Sequence, residues 1–227
     1  IITNYEINMN KRELILMEQL SKLPYYTKQN LSLVLKKDGF SLDYWIKKLV
    51  RDEILIPIKK GFYTSSFYLN EIKEKGFLDL YRQQLANVLR QPSYVSLESA
   101  LSFYGLIPEE TFNITSITLK STRTYKNKLG TFIYRNIKKE LFLGYNQIKK
   151  IDPISRATKA KALFDWLYLK KFNGKKAIES FLQNEGRINW FIFSHKEKEE
   201  FDQYVKISGS KKMIFISEII NLLIKNG

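Results

Sequence analysis

The stretch 23–69, LPYYTKQNLSLVLKKDGFSLDYWIKKLVRDEILIPIKKGFYTSSFYL, decides the fold of the N-terminal part of this chain. Thr27 stands where an N-cap belongs, and Leu31, Val34 and Leu35 follow at helical spacing. Lys37, Asp38 and Gly39 break that helix, with Gly39 as the expected stop. Ser41 is then expected to cap a second helix whose apolar face is Leu42, Trp45, Ile46, Leu49 and Val50. The opposite face carries Asp43, Tyr44, Lys47, Lys48 and Arg51. Two β-rich runs follow, 54–58 and 62–69, and Lys59, Lys60 and Gly61 between them read as a hairpin turn. Upstream, residues 10–22 form an amphipathic pattern, with Asn10 as cap and Leu14, Met17 and Leu20 or Ile15 turned inward. A first helix, then helix, turn, basic-faced helix and lysine-tipped hairpin is the order of a winged helix-turn-helix.

That order has a mechanical use. A helix laid in the major groove offers one face to base edges, while the preceding helix and the wing hold phosphates. Ser41, Asp43, Tyr44, Lys47, Lys48 and Arg51 are the residues expected to face bases. Thr27, Lys28, Gln29, Lys59 and Lys60 are those expected at phosphates. The bland alternative is a winged fold that binds protein, and Asp43 argues mildly against a helix that hugs phosphates closely.

The totals agree with a polyanionic partner without choosing one. The chain has 227 residues, 38 Lys and Arg against 23 Asp and Glu, and a formal net charge of +15. Abundant Lys, Ile and Asn also match an AT-rich genome, which weakens any argument from lysine count alone. Residues 1–75 carry 13 basic and 9 acidic side chains, and residues 76–227 carry 25 and 14. The presumed reading head is therefore the less basic part. Cysteine is absent, which excludes disulfides and thiolate chemistry and fits a reducing compartment. No apolar run reaches the ~18 residues of a membrane helix, and the opening IITNYEINMNKRE lacks the order of a signal peptide. A soluble cytoplasmic protein with no membrane partner is expected.

Beyond the head, residues 77–90 read as a helix with Leu78, Tyr81, Leu85 and Leu89 on one side. The expected organisation is a winged domain over 1–75, a linking helix over 76–93 and a C-terminal domain over 94–227. In the last, Ser96 is expected to cap a helix over 97–104, and strands are expected over 114–120, 131–137 and 141–145 in a small antiparallel sheet. After Pro153 the pattern turns helical over 155–171, 175–183, 195–206 and 213–225. The fold class is thus α+β. The stretch 120–150 is basic: Lys120, Arg123, Lys126, Lys128, Arg135, Lys138, Lys139, Lys149 and Lys150 stand against one acid, Glu140, with Tyr125 and Tyr134 interleaved. It reads as a second polyanion surface or a face for an acidic protein; the bland reading is a solvated loop and outer strand faces.

Catalysis finds little to draw on. His195 is the only histidine and falls at an expected helix start. Asp152, Asp165, Glu179 and Glu185 show no nuclease-like grouping, and no phosphate-binding glycine loop is present. No catalytic residue, metal ligand or cofactor is expected.

Two segments of the second half carry a family resemblance. The run SYVSLESAL at 93–101, followed by Tyr104, Gly105, Leu106, Ile107 and Pro108, resembles a hallmark of the AbiEi antitoxin family. So does RATKAKALFDWLYL at 156–169, where Lys161, Ala162, Leu163, Phe164 and Asp165 stand in the place of a Lys-Ala-Leu-x-Asp helix. The strand opening at 130–134 is similar as well. With the winged head, the resemblance runs from about residue 10 to about residue 190, and its motifs are of a packing type. It implies a bacterial type IV toxin–antitoxin pair linked to phage defence and abortive infection. The N-terminal head would repress its own operon through inverted repeats in operator DNA. The C-terminal domain would counteract a nucleotidyltransferase toxin, in this family without a tight toxin complex. The alternative is a transcription regulator unrelated to toxins, whose C-terminal domain dimerises or senses a ligand.

Overall fold

The structure, a computed structural model, describes residues 11–109, 112–149 and 153–225. Asn10, Lys150 and Asp152 lie outside them. The chain divides into two compact units, one formed by residues up to Arg82 with Lys126–Leu129, the other by Gln83–Tyr125 and Gly130 onward. The architecture is α+β, with a three-stranded antiparallel sheet in the first unit and a mixed sheet in the second.

The first unit opens with helix α1 (Lys11–Ser21), strand β1 (Tyr26–Thr27), helix α2 (Lys28–Leu35) and helix α3 (Gly39–Arg51). Strands β2 (Leu55–Lys59) and β3 (Phe62–Ser65) follow, then helix α4 (Ser66–Glu74). The sheet order is β1-β3-β2, all antiparallel. Three helices and a β-hairpin in this order make a winged helix-turn-helix. Its core is Leu20, Tyr26, Leu31, Leu42, Ile46, Leu49 and Leu55.

Thr27 caps α2 as the sequence predicts, in a reciprocal box: its hydroxyl receives the Asn30 N–H at 3.2 Å, and Asn30 Oδ1 receives the Thr27 N–H at 3.0 Å. Four local expectations are corrected. Lys36, not Gly39, closes α2, in the left-handed conformation at φ 52°, returning its N–H to Ser32. Helix α3 starts at Gly39 with Asp38 as cap, so Ser41 is an interior residue. The run 62–69 is strand only to Ser65. There the Ser65 hydroxyl donates to Leu20 O at 2.5 Å and accepts the Tyr68 N–H at 3.0 Å, which turns the chain into α4. In α1, Leu16 and Leu20 face the core at i, i+4 spacing, whereas Leu14 and Ile15 are exposed.

Helix α5 (Leu78–Leu89) contains the division between the units. At its start Tyr81 Oη lies 2.6 Å from Pro24 O and 2.7 Å from Thr64 Oγ1, tying it to the winged unit.

The second unit contains strand β4 (Ser93–Val95), helix α6 (Leu97–Phe103), and strands β5 (Asn113–Thr118), β6 (Arg123–Asn127, whose last two residues are assigned to the first unit), β7 (Gly130–Asn136), β8 (Tyr145–Lys149) and β9 (Pro153–Ala157). Helices α7 (Lys159–Leu169), α8 (Lys175–Ser180), α9 (His195–Ser208) and α10 (Lys211–Lys225) follow. The small antiparallel sheet expected here is instead six-stranded and mixed, in the order β6-β7-β5-β4-β9-β8. Strands β5 and β7 run parallel, as do β4 and β9, while β4–β5 and β8–β9 are antiparallel. Two short strands make the difference. Strand β4 is three residues long and wholly buried, too short to show a period of two. Strand β9 lies where helix was expected; helix starts only after Thr158, whose hydroxyl accepts the Lys161 N–H at 3.1 Å. The third expected strand, 141–145, is shifted to β8, because Lys139–Leu141 form a 3-10 turn. Helix α7 lies at the centre of the core, with Ala162, Leu163, Phe164 and Leu167 fully buried against α6 and α9.

The capping geometry predicts that Thr27→Ala lowers the stability of the winged unit by about 1 kcal/mol. A denaturant titration that follows α2 amide protection is the check.

Candidate nucleic-acid interface and the buried polar core

Helix α3 has two unlike faces. Leu42, Ile46 and Leu49 are buried beneath it. On the opposite side Phe40, Tyr44, Lys47 and Arg51, spaced at i, i+4, i+7 and i+11, form one exposed stripe. Ser41 and Lys48 flank the stripe on one side, and the Lys48 ammonium sits 4.9 Å from the Trp45 ring. Asp43 lies on the other flank and holds Lys28 of α2 at 2.6 Å. Both partners are about half exposed, so the pair contributes at most about 1 kcal/mol. That is weak enough for Lys28 to exchange it for a phosphate.

The other residues expected at phosphates divide into two groups. Lys28 and Gln29 are exposed at the start of α2, and Lys60 is exposed at the tip of the wing. Lys59 packs its ammonium 4.1 Å from the Phe62 ring, and Phe62 in turn stacks on Tyr25. The Thr27 hydroxyl is committed to Asn30, donating to Oδ1 at 2.8 Å as well as accepting the Asn30 N–H. Its role is therefore to hold the first turn of α2 in place.

The basic segment does not form one continuous feature. Lys126 and Lys128 belong with the first unit, where Lys128 pairs with Glu53 at 2.6 Å and Asn127 donates to Ile58 O at 3.0 Å. Lys120, Arg123, Arg135, Lys138 and Lys139 belong with the second. Arg123 stacks over Tyr125. Tyr134, expected among the surface aromatics, is fully buried and donates to Ala86 O at 2.6 Å. Lys138 and Lys139 line an open cavity of about 590 Å³ with Glu140, Leu141, Ile207 and Ser208. His195 is the exposed first residue of α9, and Ser194 is its cap. Among the described residues, no three His, Asp or Glu side chains are grouped to hold a metal ion, and no helix is long and apolar enough to cross a membrane.

The two segments that resembled a family motif meet in the second unit. Lys161 and Asp165, one turn apart on α7, form an ion pair with no exposed surface on either side chain. The second carboxylate oxygen of Asp165 accepts from Ser96 Oγ at 2.8 Å and Tyr94 Oη at 3.1 Å. Asp165 thus meets three side chains. Ser96 was expected to cap α6 through its hydroxyl, but that hydroxyl is spent on Asp165. Glu98 accepts from Trp166 Nε1 at 3.0 Å, a second bond between the same two segments. Ser99 exchanges bonds with Thr115, tying α6 to β5. The Lys161 ammonium lies 5.0 Å from the Phe164 ring and 5.4 Å from that of Tyr204. Tyr204 and Thr158 both donate to Glu200 at 2.5 Å. Gly144 is required here: its φ is +74°, and a Cβ would come within 2.2 Å of the Tyr204 hydroxyl.

Burial pushes the Asp165 carboxyl above the ordinary carboxylate range and the Lys161 ammonium below the usual lysine range, the mutual attraction opposing both shifts. Burial likewise raises the Tyr94 phenol. Ser96, Lys161 and Asp165 are all fully buried, so the cluster is a polar core sealed from solvent. Comparison with known protein families and with curated proteins finds no match.

Sequence reasoning missed Phe40 and Tyr94. Phe40 was legible only with α3 started at Gly39, which puts it four residues before Tyr44 on the same stripe. Tyr94 carried no signal before the two segments were brought together.

The polar core predicts an asymmetry. Asp165→Ala, which strands the Lys161 charge, destabilises the second unit by about 3–5 kcal/mol, whereas joint Lys161→Met and Asp165→Leu recovers most of the loss. Denaturant midpoints of the three proteins decide it.

Proposed function

We propose that this chain is a DNA-binding antitoxin of the AbiEi type. It reads operator DNA with its winged unit, represses its own toxin–antitoxin operon, and counteracts a nucleotidyltransferase toxin through its second unit. The observation that carries the DNA part is the two-faced helix α3. Its core side is closed by Leu42, Ile46 and Leu49, and its exposed stripe holds Tyr44, Lys47 and Arg51. The wing sets Lys60 beyond this helix in sequence, and α2 sets Lys28 and Gln29 before it, the arrangement in which flanking elements grip phosphates. The antitoxin part rests on the resemblance of 93–108 and 156–169. It is supported by the way those segments interlock through Ser96–Asp165 and Glu98–Trp166. The reaction is left to the toxin; this chain supplies recognition and no catalytic group, metal or cofactor. Its place is then the bacterial cytoplasm.

The test is binding to duplexes from the promoter upstream of the chain's own gene. Lys28→Ala and Lys60→Ala are each expected to weaken binding and to reduce the slope of log affinity against log salt by about 1, one phosphate contact apiece. Unchanged affinity and slope in both variants would overturn the docking. In cells, where a nucleotidyltransferase is encoded beside the chain's gene, co-expression with it is expected to restore growth, and both lysine variants keep that rescue while losing repression. Absence of rescue by the wild-type chain rejects the antitoxin role.

A further inference from the structure

The exposed stripe of α3 is half apolar. Phe40 is 95% exposed and Tyr44 64% exposed, one turn apart at the N-terminal end of the helix. A single exposed aromatic is ordinary. Two on one stripe, continuous with Lys47 and Arg51, are a composed surface with an apolar end and a cationic end. Neither ring serves the core: that face of α3 is already filled by Leu42, Ile46 and Leu49.

We infer that Phe40, with Tyr44 beside it, reads thymine methyl groups in the major groove. This deepens the DNA-binding proposal and rests on it. The N-terminal residues of a recognition helix are those that reach base edges. In the major groove, the one apolar feature by which base pairs differ is the C5-methyl of thymine, and a phenyl ring is a partner for it. The surrounding charge favours this occupant over a protein surface. Lys47 and Arg51 extend the same stripe, Lys48 flanks it, and Lys36 and Lys37 are exposed in the turn just before it. A polyanion satisfies the cationic end while its bases meet the apolar end. Tyr44 joins the two ends, since its ring packs and its hydroxyl donates or accepts. The ligand class is therefore duplex DNA with thymine at the positions under the first turn of α3.

The experiment uses the full chain. Preferred duplexes are selected from a randomised pool, and each thymine in them is then replaced by deoxyuridine, which removes only the methyl. The wild-type chain is expected to lose about fourfold in affinity at one or two positions per site, the burial of one methyl-sized group. Phe40→Ala is expected to bind both duplexes equally, with its folding midpoint unchanged because the ring is exposed. If the wild-type chain selects no duplex, both the DNA reading and this inference fail. If it selects duplexes but deoxyuridine costs nothing at any position, the inference falls while DNA binding stands. A deoxyuridine penalty that survives in Phe40→Ala removes the role from Phe40. A Phe40→Ala protein that keeps the penalty but shifts in sedimentation assigns the apolar end, together with exposed Leu33, to self-association and overturns the inference.

Discussion

A lysine and an aspartate sealed from solvent must satisfy each other and every other buried lone pair, and this requirement organises the second unit. Bringing two such charges out of water costs several kcal/mol each, and their attraction offsets that only with further bonds. Asp165 obtains those bonds from Ser96 and Tyr94, so β4 and the start of α6 must lie against α7. The consequence extends to the backbone: Leu97, next to Ser96, adopts φ 57°, a strained conformation for a leucine worth about 1–3 kcal/mol. The neighbouring residues hold it, because Leu97 is buried and Ser96 is fixed to Asp165. Lys161 imposes the other half of the arrangement. Its stem and ammonium need walls of rings, which Phe164 and Tyr204 supply, and Gly144 leaves room for the Tyr204 hydroxyl. One charged pair thus sets how α6, α7 and α9 pack.

The first unit obeys a simpler rule. Its core is largely apolar, and the side-chain bonds that start its helices lie at element ends: Thr27 with Asn30, and Ser65 with Leu20 O. Such bonds fix where helices begin, and where α3 begins fixes what it displays. A start at Gly39 adds Phe40 to the stripe of Tyr44, Lys47 and Arg51; a start at Ser41 would leave it in a turn. The half-exposed Asp43–Lys28 pair joins α2 to α3 without taking a stripe residue.

Legibility followed the length scale of each signal. Helix α3 and the hairpin 55–65 were readable because amphipathic period and turn chemistry act within a dozen residues. The capping box at Thr27 was readable for the same reason. Ser41 misled because serine before an apolar run is a good cap signal, and the competing start at Asp38 and Gly39 has no side-chain bond to advertise it. The six-stranded sheet was not readable: β4 pairs with β9 across some sixty residues, and both strands are short. The polar core was half readable. The motif segments 93–101 and 156–169 stood out singly, but that Ser96 bonds Asp165 is a fact of tertiary packing, for which one sequence carries no signal. Tyr134 was misplaced because alternation along β7 does not say which face is outward.

On the proposed function, the charge distribution bears on how the winged unit would discriminate among DNA sequences. Residues 1–75 carry 13 basic and 9 acidic side chains, a net of +4 within a chain of +15. Lys28 and Lys128 are moreover engaged by Asp43 and Glu53 within the winged unit. Sequence-independent affinity comes from phosphates neutralised, so a weakly basic head binds random DNA weakly. What would then hold it at one site is contact with base edges, and an aromatic end on α3 would supply contact that adds no electrostatic affinity elsewhere. Low charge and exposed rings on one helix are then two parts of one solution. The first would lower the background, and the second would raise the signal where the sequence fits. Inverted repeats would double that signal by engaging two heads, so the charge per head can stay small.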